Sequence, residues 1–279
     1  MLLARSRAED AAKSKLSTIR KKLRKLEEEL RKVREGLEEA VEEVSSLLEE
    51  AGNITGTRHR LSGRIEEERE HLEGIYGEAI SLIQESTEIF LRAARRIEQV
   101  KRAADSADRA LKLGLVDEAL STSVEALGDL SSLEEYLRPT ILRMRDQISR
   151  LRTGEEVLRK LLEVVKRDIG LLMSLNVDVA GEEVRLIKAC GLEGFGNGIL
   201  LLTDKKLLFL DRSGREILKI PRASIEVRGI SKGFLGLRRK LILSTKGVEE
   251  LAELVISCNR HDLKAIEEEL RRGLRSLEA

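Results

Sequence analysis

A chain of 279 residues that is 36% charged and only 2% aromatic, with no tryptophan, is not composed like a single large globular core. Long helices sealed by Leu, Ile, Val and Ala need few aromatic side chains, so the composition favours coiled-coil packing. The net charge of +1 gives no support to nucleic acid as a partner, and no apolar run reaches the roughly 18 residues of a membrane-spanning helix. Met1-Leu-Leu-Ala-Arg5 is too short for the apolar region of a signal peptide, so a cytoplasmic location is expected.

The first predicted element runs from about Arg5 to Ala51. Its apolar positions, Leu16, Ile19, Leu23, Leu26, Leu30, Val33, Leu37, Ala40, Val44 and Leu47, step by threes and fours without a break. That is a heptad seam, the mark of a helix packed against other helices. Gly52-Asn-Ile-Thr-Gly-Thr57 then supplies two glycines and cap-forming side chains, which end one helix and begin another.

The second helix is expected over about 58–112, with a seam through Leu72, Tyr76, Ala79, Ile83, Phe90, Ala93, Ile97, Val100, Ala104, Ala107 and Leu111, and Ser86 filling one slot. Gly114 and Asp117 read as the closing and opening caps of the next turn. A third helix, about 117–172, carries Leu120, Val124, Leu127, Leu130, Leu137, Ile141, Met144, Ile148, Leu151, Leu158, Leu162, Val165 and Ile169. Pro139 removes a backbone hydrogen bond inside it, which predicts a kink near Glu135–Pro139 or, as the second option, a break.

Short connections make successive helices antiparallel neighbours. Charge supports that arrangement. Residues 5–34 carry +7 and 35–51 carry −7; 58–91 carry −4 and 92–112 carry +4; 117–137 carry −6 and 138–172 carry +4. Folded up, down and up, one end collects +5 and the other −7, with the third helix opposing its two neighbours at both ends. Each exposed pair is weak, but the pattern selects direction and register. The basic face Arg20, Lys21, Lys22, Arg24 and Lys25 is a candidate contact for anionic lipid or, more remotely, nucleic acid. Glu27-Glu-Glu29 follows it at once, and no aromatics interleave with it, so a charge face within the bundle is the plainer reading.

Beyond Ser174 the period changes from helix to strand. Glu183–Cys190 reads as a strand, Gly191–Gly198 as a glycine-rich connection, and Ile199–Leu202 with Leu207–Leu210 as a hairpin turning at Thr203–Lys206. Glu216–Ile220, Ile225–Ile230, Lys240–Ser244 and about Leu251–Cys258 bring the count to seven strands. A helix from Arg260 to Leu274 closes the chain, with Leu263, Ile266, Leu270 and Leu274 on one face and Asn259 or His261-Asp262 as its cap.

Seven strands and one closing helix follow the order of the pleckstrin-homology (PH) superfold. Gly198-Ile-Leu-Leu-Leu-Thr-Asp-Lys-Lys-Leu-Leu-Phe-Leu210 resembles the hairpin of GRAM and bacterial PH-like domains, and Ile220-Pro221, Ser224-Ile225 and Lys232-Gly-Phe-Leu-Gly236 resemble later landmarks of that family. The resemblance covers about residues 178–275. It implies a small adaptor domain, used in some relatives for lipids and in others for proteins. The familiar phosphoinositide site draws Lys and Arg from the first inter-strand loop, and Gly191–Gly198 holds neither. A membrane contact is instead expected at Lys232, Phe234, Leu235, Leu237, Arg238, Arg239 and Lys240, where apolar residues sit between cations.

The sequence therefore describes an α+β multidomain chain: an all-α antiparallel three-helix bundle over 1–175, then a PH-like seven-stranded barrel capped by one helix over 176–279. The plan is similar to that of proteins joining a BAR bundle to a PH domain. The expected function is a non-enzymatic scaffold, homodimeric through the helices and peripheral at the inner membrane face. A protein-only interaction scaffold is the alternative. No catalytic set, cofactor or metal site is expected, since His59, His71 and His261 are scattered and Gly194-Phe-Gly-Asn-Gly198 lacks a following Lys-Ser/Thr. Cys190 and Cys258 are too few for a disulfide framework and read as buried free thiols. With 33 Arg against 18 Lys the composition is compatible with a thermophile, which leaves a bond between the two cysteines open.

Overall fold

The structure is a computed structural model and describes residues 2–54, 58–177, 179, 181–232, 239–246 and 253–275, with the side chains of 2–5, 232 and 273–275 outside that description. Three long helices come first: α1 (Leu2–Ile54), α2 (Ser62–Lys112) and α3 (Val116–Ser174). Seven strands and a final helix follow: β1 (Val184–Leu192), β2 (Gly196–Thr203), β3 (Lys206–Leu210), β4 (Glu216–Pro221), β5 (Ile225–Lys232), β6 (Arg239–Thr245), β7 (Glu253–Ser257) and α4 (Arg260–Arg275). The chain divides into two compact units, Met1–Glu50 with Glu68–Leu158, and Ala51–Glu67 with Arg159–Ala279.

The first unit is an up-down-up bundle, and its ion pairs record the directions. Arg20 meets Asp108 at 3.5 Å and Lys101 meets Glu27 at 2.7 Å, which sets α1 against α2 antiparallel. Arg143–Glu85 at 3.2 Å and Arg150–Glu78 do the same for α2 and α3. Lys22–Glu134 at 3.1 Å and Arg145–Glu29 at 2.8 Å run α1 and α3 in the same direction. These pairs are exposed and individually worth little. Lys22–Glu134, Arg143–Glu85 and Arg150–Glu78 join blocks of opposite net charge, as the sequence pattern leads one to expect, whereas Arg20–Asp108, Lys101–Glu27 and Arg145–Glu29 join two net-positive blocks through their minority acidic residues.

The seam departs from the expected one at several positions, most of them in α2 and α3. In α3 the buried residues are Ala119, Ser123 and Ala126, while Val124 is 49% exposed and Leu120 and Leu127 are only half-buried. Small side chains let the backbones approach: Ala12, Ala110 and Ala119 form a cluster of their own. Ser123 is buried at little cost because its hydroxyl donates to the Ala119 carbonyl at 2.6 Å. In α2 the inward positions are Ile75 and Leu82 rather than Tyr76 and Ile83, and Ser86 fills its slot as expected, donating to the Ile83 carbonyl. Helix α3 passes through Pro139 without a break, with Leu137, Ile141 and Met144 buried on either side. Burial of that stripe outweighs the roughly 3 kcal/mol that an interior proline costs.

In the second unit the seven strands form one antiparallel sheet in the order β4-β3-β2-β1-β7-β6-β5. Only β1 is shared between its two halves. It pairs with β2 from Val184 to Leu192 but with β7 only at Gly191 and Leu192. The sheet therefore bends around β1 into the PH-like barrel, which α4 closes with Leu263, Ile266 and Leu270. Asn259 caps α4, its side-chain oxygen accepting from the Asp262 N–H at 2.9 Å.

The hairpin β2–β3 explains its own spelling. Leu200, Leu202, Leu207 and Phe209 fill the barrel interior, while Leu201, Leu208 and Leu210 pack on the opposite face against Leu172 and Leu175 from the end of α3. A strand buried on both faces is written as a continuous apolar run rather than as an alternation. Gly198 sits where that packing is tightest, since a Cβ there would lie 2.1 Å from the Leu210 carbonyl oxygen.

Candidate functional site

Three places could carry function: the junction of the α1–α2 connection with β1, the joined ends of β5 and β6, and the basic face of α1.

At the junction, the chain after α1 borrows the start of β1. The Val184 N–H donates to the Arg58 carbonyl at 2.9 Å and the Arg60 N–H donates to the Val184 carbonyl at 3.0 Å, a parallel bridge centred on His59. His59 is 3% exposed and Asp168 of α3 is 5% exposed, with Nε2 and Oδ2 3.4 Å apart. The Leu61 N–H donates to Nδ1 at 3.2 Å, which leaves Nε2 to donate toward the carboxylate. Burial alone would raise the Asp168 pKa. Hydrogen bonds from His59 and Arg167 outweigh it and hold the carboxyl below its ordinary range.

Next to this pair, Arg60 lies 3.6 Å from Glu269 of α4, a carboxylate that is itself buried. Arg222, in the 3₁₀ turn Arg222–Ser224 between β4 and β5, is buried and donates to the carbonyls of Thr203 and Glu269. Both ring nitrogens of His59 are thus engaged by protein, leaving neither for a substrate. The cluster is a weld: it fastens the α1–α2 connection and α3 to the barrel's first strand and last helix.

Sequence reading missed this weld. His59 stands alone in a polar connection, with no periodic neighbour to mark it. Asp168 was legible, because it occupies a seam position that the apolar count assigned to Ile169, and Ile169 is only half-buried. A carboxylate in a seam asks for a buried partner.

The β5–β6 ladder ends with Lys232 opposite Arg239 and Ser231 opposite Lys240. Phe234, Leu235, Leu237 and Arg238 lie outside the described residues, as does the side chain of Lys232. Arg239 and Lys240 are half-buried, and the Lys240 ammonium lies 2.8 Å from Glu193 in the β1–β2 turn. That turn is only Glu193–Phe195, so the place where a phosphoinositide site draws its cations holds a carboxylate and a 42%-exposed phenyl ring. In an antiparallel meander alternate turns fall at opposite ends, so the Lys232–Arg239 end of the ladder and the β1–β2 turn face opposite ways along the strands.

On α1, Arg20 is held by Asp108 and Lys22 by Glu134. Lys21, Arg24 and Lys25 make no ion pair among the described residues, and with Lys13 and Arg20 they line a groove of about 600 Å³ against Asp108. The cationic face is therefore half consumed within the bundle and half open.

Among the described residues no group of three or more His, Cys, Asp or Glu side chains is placed to hold a metal ion, and no helix is long and apolar enough to cross a membrane. No family model matches the chain, and no curated protein does. Among solved structures it is similar to the Vps36 N-terminal PH domain, at 19% identity and a TM-score of 0.31, over 36% of this chain and 85% of that one. It is also similar to autoinhibited Vav1, at 14% identity and a TM-score of 0.30, over 88% of this chain and 56% of that one. At these scores the likeness adds nothing to what the strand order and the closing helix already show.

Proposed function

We propose that the chain is a non-enzymatic scaffold that dimerises through its helices and works at an anionic membrane surface through its PH-like domain, on the plan of BAR–PH proteins and with a domain of the GRAM type. The observation that carries the membrane reading is the pairing of Lys232 with Arg239 at the joined ends of β5 and β6. It brackets the apolar sequence Phe234, Leu235 and Leu237 between cations on two neighbouring strands, so that apolar insertion and headgroup attraction would act together. Each cation near an anionic surface contributes about 1 kcal/mol. Dimerisation is supported by large apolar side chains that α3 leaves exposed at two separate places, Val124 at 49% with Leu120 and Leu127 half-buried beside it, and Leu142 at 53%.

A second reading, a scaffold that binds proteins only, is favoured by the Lys240–Glu193 pair, which neutralises one of the cations on which the first reading relies. Vesicle flotation separates the two. Membrane association predicts that the intact chain floats with anionic vesicles and that Phe234→Ala with Arg239→Glu abolishes flotation. No flotation of either protein at low salt would leave the protein-only reading, and equal flotation of both would exclude the Lys232–Lys240 segment as the membrane contact.

A further inference from the structure

The structure places two thiols opposite one another. In the β1–β7 ladder Gly191 faces Ser257 and Leu192 faces Ile256, so the next step sets Cys190 opposite Cys258. The Glu193 N–H donates to the Val255 carbonyl at 3.0 Å, which makes that a hydrogen-bonded pair. Antiparallel pairs alternate, so Leu192/Ile256 is non-hydrogen-bonded, Gly191/Ser257 hydrogen-bonded, and Cys190/Cys258 again non-hydrogen-bonded. Such pairs bring their Cα atoms to about 4.5 Å with both side chains on one face, inside the roughly 4.4–6.8 Å span that a disulfide bridges. The shared face is the barrel interior, because Cys190 belongs to the interior core and Cys258 packs against it. Both are free thiols.

We propose that Cys190 and Cys258 form a reversible cross-strand disulfide when the chain meets a small-molecule disulfide of the glutathione class. The half-exposed Cys258 meets the oxidant first. Its thiolate attacks one sulfur of the oxidised tripeptide, expelling one glutathione thiolate and leaving a mixed disulfide on Cys258. The Cys190 thiolate then attacks the Cys258 sulfur and expels the second glutathione. Two protein thiols are oxidised, one small disulfide is reduced to two thiols, and the two protons go to solvent or to those thiols. A thiol reductant reverses both steps.

The environment sets the rate. Burial, with the neighbouring Cys258, pushes the Cys190 thiol up to about 12, and burial, with Asp262, pushes Cys258 up to about 11. Thiolate is therefore scarce at neutral pH, so the bond forms slowly and faster as pH rises. Its place decides its effect. Cys258 immediately precedes Asn259, the cap of α4, and Lys188 of β1 already reaches Asp262 in the first turn of that helix at 2.7 Å. Oxidation would convert this polar latch between β1 and α4 into a covalent one, fixing the helix that closes the barrel.

The test incubates the intact chain with oxidised glutathione at mildly alkaline pH and follows intact mass, free thiols and thermal unfolding. The expected product is a chain lighter by two hydrogens with no disulfide to a second copy, with Cys190 and Cys258 in one cross-linked peptide and a higher unfolding temperature that dithiothreitol reverses. Cys190→Ser should stop at one glutathione on Cys258, and Cys258→Ser should react more slowly than wild type. A wild-type end product that retains bound glutathione, or that links two chains, while circular dichroism shows the fold intact, would overturn the proposal.

Discussion

Replacing His59 by Ala tests the weld between the α1–α2 connection and the barrel. The substitution removes the imidazole that donates to Asp168 and accepts from Leu61, and leaves the carboxylate buried at 5% exposure. Breaking a buried pair from one side costs about 3–5 kcal/mol. Arg167 stays bound to the other carboxylate oxygen at 3.0 Å, so the cost should fall at or just below the lower edge, about 2–3 kcal/mol. Asp168→Asn keeps the shape and an acceptor for Nε2–H, and should cost about 1 kcal/mol. The direct readout is native-state hydrogen exchange at Val184 and Arg60, whose N–H groups close the parallel bridge. A loss of about 3 kcal/mol there is roughly a hundredfold fall in protection.

The pH dependence follows with its sign. A carboxylate held below its ordinary range contributes stability that is complete above the unfolded value, near pH 4, and is lost as pH falls through the lower folded value. Wild type should therefore lose protection at these amides below about pH 4, and Asp168→Asn should lose less of it. Unchanged protection in His59→Ala would refute the reasoning, as would losses from His59→Ala and Asp168→Asn that simply add in the double variant.

Other variants probe the remaining elements. Gly198→Ala drives a Cβ against the Leu210 carbonyl oxygen and the Phe209 ring, so urea unfolding should show a loss of about 3 kcal/mol or more. Gly191→Ala should cost clearly less, because its nearest neighbour is the Ser257 hydroxyl, which can rotate away. Arg222→Met leaves the Thr203 and Glu269 carbonyls without their donor and should destabilise the barrel by about 2–4 kcal/mol in the same assay. Val124→Glu with Leu142→Glu should leave helix content unchanged while halving the molar mass seen by light scattering. An unchanged mass, whether monomeric or dimeric in both proteins, would exclude these two residues from a dimer interface.

What was legible in the sequence follows the length and repetition of each signal. Three helices were written in more than a hundred residues of three-four spacing, and the second turn in Gly114, whereas α1 runs on through Gly52 to Ile54 and α3 starts at Val116, one residue before the expected cap Asp117. The hairpin was legible as β structure but not as a docking face. A run such as Leu207–Leu210 states that both faces are buried without saying that one of them receives Leu172 and Leu175 of α3. The register at the start of α3 was read one residue late because large apolar side chains were counted as the seam, while from Leu130 through Met144 it was read correctly. Ala119, Ser123 and Ala126 win the inner positions since close helix approach favours small residues, and Val124 is left outside. The weld was hidden for a different reason: His59 and Asp168 are 109 positions apart and meet only after the helices have folded back on themselves.

Binding of the intact chain to vesicles of rising anionic lipid content, at low and at high salt, tests the membrane reading most directly. Neutral vesicles should recover no protein, recovery should climb with anionic content, and most of it should be lost when salt shortens the screening length. Recovery that is absent throughout, or that is the same on neutral and anionic vesicles, would contradict that reading.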